Sequence, residues 1–184
     1  MANSIDFTIH YFDEVSSTNT LAREYAEQGA SEGLVLVAEY QTEGRGKPGR
    51  KWISPAGKNL LFSLLLRPSI APSRSPIITQ IACRSVAAIL KEHGIESTFK
   101  RPNDILVNGK KICGILVESS TAGERLDYVV IGIGLNVNAE QEELIPEATS
   151  MKIISGRLHN KEELLQKILR QFQFDTEELY AHSF

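Results

Sequence analysis

Asn108-Gly109 stands between two strand-like runs, Ile105-Leu106-Val107 and Lys110 to Val117, and leaves the chain few choices there. Asn-Gly tolerates the positive φ angles of a two-residue type I′ turn, so the runs are expected to form an antiparallel hairpin. In that register Val107 pairs with Lys110, Leu106 with Lys111 and Ile105 with Ile112. Pro102 biases Arg101 toward extended geometry, so the side chains around it alternate between sheet faces. Asn103 and Asp104 stand just ahead of the first hairpin strand and Lys111 near the start of the second, so Asp104 and Lys111 belong to one local unit. Gly114, inside a strand, marks a close approach of backbone or ligand. A solvated surface hairpin is the plainer reading of Lys110 and Lys111.

The rest of the chain supplies partners for that hairpin. Phe7, Ile9 and Tyr11 alternate with polar neighbours as in a half-buried strand. A helix is expected to start in Ser16-Ser17-Thr18-Asn19, where side-chain oxygens can cap free amides, and to stop at Gly29. Leu34 to Ala38 and Leu60 to Leu66 read as buried strands. Ile77, Ile78, Ile81, Ala82, Ile89 and Leu90 recur at helical spacing, with Gly94 as the C-terminal stop. Asp127 to Val137 is a further strand. Asn160 with Glu163 resembles a capping box for a last helix that buries Leu164, Leu165, Ile168, Leu169 and Phe172. No repeat or linker interrupts the 184 residues, which predicts one α+β domain, 1–184, around a mixed β-sheet flanked by helices.

Composition narrows the function classes. Hydrophobic residues at 42% and charged residues at 23% are globular values and argue against disorder. A net charge of −3 gives no general attraction to nucleic acid. No apolar run reaches the ~20 residues needed to span a bilayer, and the first residues lack a signal-peptide pattern. Cys83 and Cys113 lack metal-ligand spacing and read as small core residues of a cytoplasmic protein; His10, His93, His159 and His182 read as surface or packing residues.

The chemistry concentrates in Gln41 to Lys58, an irregular segment with four glycines and two prolines. Within it, Gly44-Arg45-Gly46-Lys47-Pro48-Gly49-Arg50-Lys51-Trp52 holds four cations, three glycines and no carboxylate. Charge of one sign on a pliable backbone suits closure over a phosphate or carboxylate. The letters also satisfy the dinucleotide fingerprint G-x-G-x-x-G. That fingerprint must open a helix, and Pro55 and Gly57 deny one. Glycine spacing beside the sole tryptophan also weighs against a merely solvated loop.

Seven segments in order resemble the biotin protein ligase family: Ser17-Thr18-Asn19; Glu39 to Glu43 with the basic glycine loop and Trp52; Ser54-Pro55 to Asn59-Leu60; Lys100 to Asp104; Lys111 to Glu118; Gly132 to Asn138; and Ala148-Thr149-Ser150. The resemblance implies a fold akin to class II aminoacyl-tRNA synthetases and the activity of a biotin–[acetyl-CoA-carboxylase] ligase. Biotin attacks the α-phosphate of MgATP, giving biotinyl-5′-AMP; a lysine of biotin carboxyl carrier protein then displaces AMP. ATP, Mg2+ arriving with the nucleotide, biotin and the carrier are the implied cofactors and partners. By position in the motifs, Ser17, Thr18, Asn19, Gln41, Arg45, Gly46, Lys47, Lys111 and Gly114 resemble the biotin side of the site. Lys47, Arg50, Trp52, Lys100, Asn103 and Asn136 resemble the ATP side. Arg45 and Lys111 match charges that stabilise the acyl phosphate, and Asp104 occupies the place of the base for the incoming lysine; the site has no metal ligands of its own.

Arg101 stands where that family usually has tryptophan. The family's reading of the termini implies no winged helix, hence no DNA, and no small C-terminal β domain. A lipoate or octanoate ligase or transferase, and a non-catalytic biotin binder, are the alternatives.

Overall fold

The computed structural model describes residues 5–46 and 51–181. A seven-stranded sheet runs in the order β1-β2-β3-β7-β6-β5-β4. Its strands are β1 (Thr8–Val15), β2 (Leu34–Gln41), β3 (Leu60–Leu66), β4 (Thr98–Lys100), β5 (Asp104–Val107), β6 (Lys110–Ala122) and β7 (Arg125–Leu135). β1 and β2 are parallel, joined through α1 (Thr18–Glu27), and the other neighbours are antiparallel, so the sheet is mixed as expected. The helices α2 (Pro76–Glu92) and α4 (Lys161–Ala181) pack against one another, and α3 (Met151–Ser155) is a single turn. Among the described residues no helix is long and apolar enough to cross a membrane.

Period-two alternation divides the strands between two faces. Val35, Val37, Phe62, Leu64, Ile131, Ile133, Cys113 and Ile115 join the α2 and α4 side chains in the main core. Leu165, Ile168 and Phe172 of α4 lie in it at 0–1% exposure, as the helical spacing predicted. The opposite face is covered differently. Leu34, Leu36, Leu65, Tyr128 and Val130 pack with Ala22 and Ala26 of the short α1, and Phe12 and Ala30 pack against their edge. α1 lies over β2, β3 and β7, which leaves the β6–β5 side of this face to other residues.

The hairpin turn forms as expected, with Asn108 at φ 51° and Gly109 at φ 78°. Its register does not hold throughout. Val107–Lys110 and Leu106–Lys111 pair, but Ile105 faces Cys113 instead of Ile112, and Asp104 faces Gly114. A bulge absorbs Ile112 because the core takes that side chain as well as its neighbour's: Ile112 and Cys113 are both fully buried. The functional result is that Lys111 and Gly114, which strict alternation would put on opposite faces, share one face with Asp104.

Local chemistry explains the helix ends. Ser17 is the N-cap of α1 and accepts from the Thr20 N–H at 3.5 Å. Gly29 and Gly94 follow their helices at φ 87° and 75°, where a side chain would be strained. Asn160 accepts from the Glu163 N–H at 3.1 Å, while the Glu163 carboxylate lies 3.2 Å from Lys167, so the capping box expected there is not reciprocal. A two-sided box forms between Glu140 and Glu143 instead.

Candidate functional site

The thinly covered face carries a floor without side chains. Gly114 on β6 pairs with Gly134 on β7, and Gly132 lies two residues back along β7, opposite Leu116. A β-carbon on Gly134 would lie 2.7 Å from Trp52 Cε2, and one on Gly114 would lie 3.0 Å from both Trp52 Cζ3 and Lys111 Nζ. The indole therefore rests on the glycines, with the Lys111 ammonium 5.3 Å from its centroid. Only glycine allows this close an approach from above the sheet.

One end of the trough is a polar cluster on β3 and the first turn of α1. Ser63 interrupts an otherwise apolar strand and is fully buried; its Oγ lies 2.6 Å from Asn19 Oδ1 and 2.7 Å from Thr18 Oγ1. Gln41 Oε1 accepts from the Thr18 N–H at 2.8 Å and from its hydroxyl at 3.0 Å. Asn19 Nδ2 donates to Glu118 at 2.8 Å and to the Leu116 carbonyl at 3.2 Å. Ser17, Thr18 and Asn19 are all at most 4% exposed because they sit under the helix start. Short, fixed donors and acceptors at a closed end suit a small polar head group.

The other end is charged. Lys111 Nζ lies 2.8 Å from Asp104 Oδ1, which unites the two residues that the hairpin was expected to bring together. Asn103, just before β5, accepts from Ile115 N–H through its carbonyl at 3.0 Å and donates from Nδ2 to the Ile115 carbonyl. The basic loop enters above the floor. Its two feet are tied: Trp52 N–H donates to Gly44 O at 2.8 Å, and Arg45 and Lys51 form a bridge. Gly44 is needed there, since its β-carbon would fall 2.4 Å from the Trp52 carbonyl oxygen. Arg45 Nη2 reaches Glu118 Oε2 at 2.8 Å.

Four side-chain polar atoms among the described residues are buried without a partner, and three belong to this site: Arg45 Nε, Trp52 Nε1 and Asn103 Oδ1. Buried polar atoms are ordinarily satisfied, and here two donors and an acceptor have no protein partner within one part of the molecule.

The expected site residues fall into four groups. Ser17, Thr18, Asn19, Gln41, Arg45, Trp52, Asn103, Asp104, Lys111 and Gly114 line or brace the trough, and Gly46 follows Arg45 at the loop's foot. Lys100 is exposed on β4 directly opposite Asp104. Lys47 and Arg50 lie outside the described residues. Asn136, expected on the nucleotide side, is 3% exposed, accepts from Asn59 Nδ2 at 3.1 Å and donates to the Thr149 carbonyl at 3.0 Å. It braces residues 148–151, whose Thr149 N–H donates to the Lys111 carbonyl at 2.9 Å. Sequence reasoning gave no role to Ser63, Glu118, Gly132 or Gly134. Ser63 was masked by the leucines around it; the two glycines, spaced for one strand face, were the available signal.

Neither cysteine competes as a nucleophile. Burial, reinforced by the Asp104 charge, pushes the Cys83 thiol up to about 11, and burial pushes that of Cys113 up further. The His93 and His159 rings do meet, at 5.3 Å between centroids. No group of three His, Cys, Asp or Glu suited to a metal ion is found among the described residues. A cavity of about 260 Å³ on the other face, under the start of α4, is rimmed by Tyr11–Glu162 and Lys161–Glu39 pairs and holds none of the expected residues.

A model of the biotin/lipoate A/B protein ligase family matches residues 11–136. The chain is 39% identical over 179 residues to the bifunctional ligase/repressor BirA of Bacillus subtilis, covering 95% of this chain and 55% of that protein. It is 32% identical to the biotin–[acetyl-CoA-carboxylase] ligase of Mycobacterium tuberculosis, covering 87% of this chain and 60% of that one. The biotin protein ligase of Aquifex aeolicus in complex with biotin and ATP superposes with a TM-score of 0.78 at 31% identity, covering 95% of this chain and 72% of that one. The chain thus spans little more than half the length of the curated relatives it matches.

Proposed function

The chain belongs to the biotin/lipoate A/B protein ligase family, and from that premise we propose that it activates biotin with ATP and transfers it to a lysine of a carrier protein. The observation that carries this reading is the single trough: a closed polar end, a glycine floor, and at the open end the Lys111–Asp104 pair at 2.8 Å beside the foot of the cationic loop. A ureido group offers two N–H donors and one carbonyl, and Thr18, Asn19, Gln41 and Ser63 offer a matching mixture. The dithiolane of lipoate or the tail of octanoate offers those groups no polar partner, so it gains nothing from them beyond the bonds they already make with one another.

In the first step a carboxylate oxygen of biotin attacks the α-phosphorus and the bond to pyrophosphate breaks. The two reactants are both anions, so fixed positive charge lowers the barrier. At ~4 Å and an intermediate effective dielectric, one cation is worth roughly 4 kcal/mol to an adjacent anion. Lys111 and Arg45 supply such charge, and Lys47 and Arg50 are assigned the same work from their place in the loop. Mg2+ belongs with the triphosphate, whose charge it partly neutralises. In the second step the neutral amine of the carrier lysine attacks the acyl carbonyl and AMP leaves. Free lysine, with pKa ~10.4, is mostly protonated near neutrality, and Asp104, 2.8 Å from Lys111 Nζ, is assigned the role of taking its proton. The basic glycine loop is assigned the task of keeping water from the mixed anhydride between steps.

Biotin-dependent exchange of labelled pyrophosphate into ATP tests the reading. Exchange with lipoate or octanoate and not with biotin moves the chain to the lipoate branch; biotin binding without exchange, or without AMP release on adding carrier, makes it a binder.

A further inference from the structure

Glu118 is a carboxylate on a half-covered sheet face, where an unpaired charge is costly. It is paired twice through one oxygen: Oε2 accepts from Arg45 Nη2 and from Asn19 Nδ2, each at 2.8 Å. Arg45 stands at the foot of the cationic loop. Asn19 belongs to the polar cluster, its Oδ1 held by Ser63 at 2.6 Å. The carboxylate is therefore the meeting point of two parts of the site that share no other side-chain bond between them among the described residues. Arg45 is held by one terminal nitrogen, while its Nε is buried without a partner. The guanidinium is thus fixed in direction yet keeps a donor for a second anion.

We propose that Glu118 is a positioning residue that couples the polar end of the trough to the loop, setting Arg45 over the acyl group only while Asn19 is in place. The proposal rests on the biotin-activating reading of the site and adds what orients its arginine. Glu118 touches no reacting atom. Asn19, Glu118 and Arg45 form one chain of charge-assisted bonds, so seating the head group against Asn19 stiffens the arginine at the other end.

The discriminating variant is Glu118→Gln. It keeps an acceptor for Asn19 and the same shape, and it removes the charge that holds Arg45. In the full chain, the biotin KM for pyrophosphate exchange should rise about 5–20-fold, the range for one charge-assisted bond at a partly exposed pair. kcat should fall as well, because Arg45 lowers the first-step barrier only while it is oriented, and AMP released without carrier should rise with the KM. Arg45→Met should give the same effects at least as strongly, and the double variant should be no worse than Arg45→Met alone, because both remove one interaction. Wild-type KM and AMP release in Glu118→Gln would overturn the proposal, as would additive effects in the double variant. Arg45 lies on the loop, so Arg45→Met tests the idea even if Glu118→Gln fails to fold: unchanged KM and AMP release in it would leave Glu118 nothing to position. A wild-type chain with no biotin-dependent exchange defeats the underlying reading instead, whereas exchange with an indifferent Glu118→Gln defeats only this inference.

Discussion

Gly132→Ala puts the architecture of the trough to a quantitative test. The added β-carbon would sit 2.1 Å from Asn19 Oδ1 and 2.8 Å from its Cγ, against ordinary contacts of 3.4–4 Å. Asn19 cannot move aside as a unit, because its backbone is in the first turn of α1, and α1 is packed on β3 through Ala22 and Ala26. Its carboxamide must swing away, losing Ser63 at 2.6 Å, Glu118 at 2.8 Å and the Leu116 carbonyl at 3.2 Å. Two neutral bonds and one charge-assisted bond amount to about 2.5–6 kcal/mol. Urea denaturation should report that loss of stability with an unchanged slope, and titration calorimetry should show biotin affinity falling at least tenfold. Should the variant unfold within 0.5 kcal/mol of the parent and bind biotin equally well, neither the Asn19–Ser63–Glu118 network nor its closeness to β7 matters as described.

Lys111→Ala removes one preorganised cation and should slow pyrophosphate exchange about 10²–10³-fold, and a change under threefold would take Lys111 out of the first step. Arg45→Gly frees the loop's foot and should increase biotinylation of bystander lysines in mass-spectrometric mapping, with no increase counting against protection of the adenylate. Burial, then the neighbouring His93 ring and the Arg157 charge, hold the His159 imidazole below its usual range, with its Nε2 2.7 Å from Ser155 Oγ. The folded state therefore favours the neutral ring, so its contribution is present above the ordinary histidine pKa of ~6.5 and is lost as pH falls below it. Stability should drop between pH 7 and 5 more in the parent than in His159→Gln, and identical profiles would refute it.

The sequence was most legible where structure is local. Asn108-Gly109 dictated its turn, the serine and asparagine caps opened their helices, and the 3.6-residue spacing of Leu165, Ile168 and Phe172 placed them in the core. It was least legible where two distant segments settle a matter together. The Ile105–Cys113 register depends on the core accepting Ile112, which no pairing rule along the hairpin reveals. Ser63 looked like an interruption in a leucine strand until α1 laid Thr18 and Asn19 over it. β4 and α3, at three and five residues, are too short to show a period. Trp52 was singled out as the lone tryptophan, but its seat on Gly114 and Gly134 joins residues far apart in the chain.

The tied feet of the cationic loop also matter to anyone who would re-engineer it. Gly44 and Trp52 are clasped by a backbone bond, and Arg45 meets Lys51 directly above it. The number of residues joining Arg45 to Lys51 can therefore change without touching either rung, so the length of that connection is a variable separable from the glycine seat that Trp52 occupies.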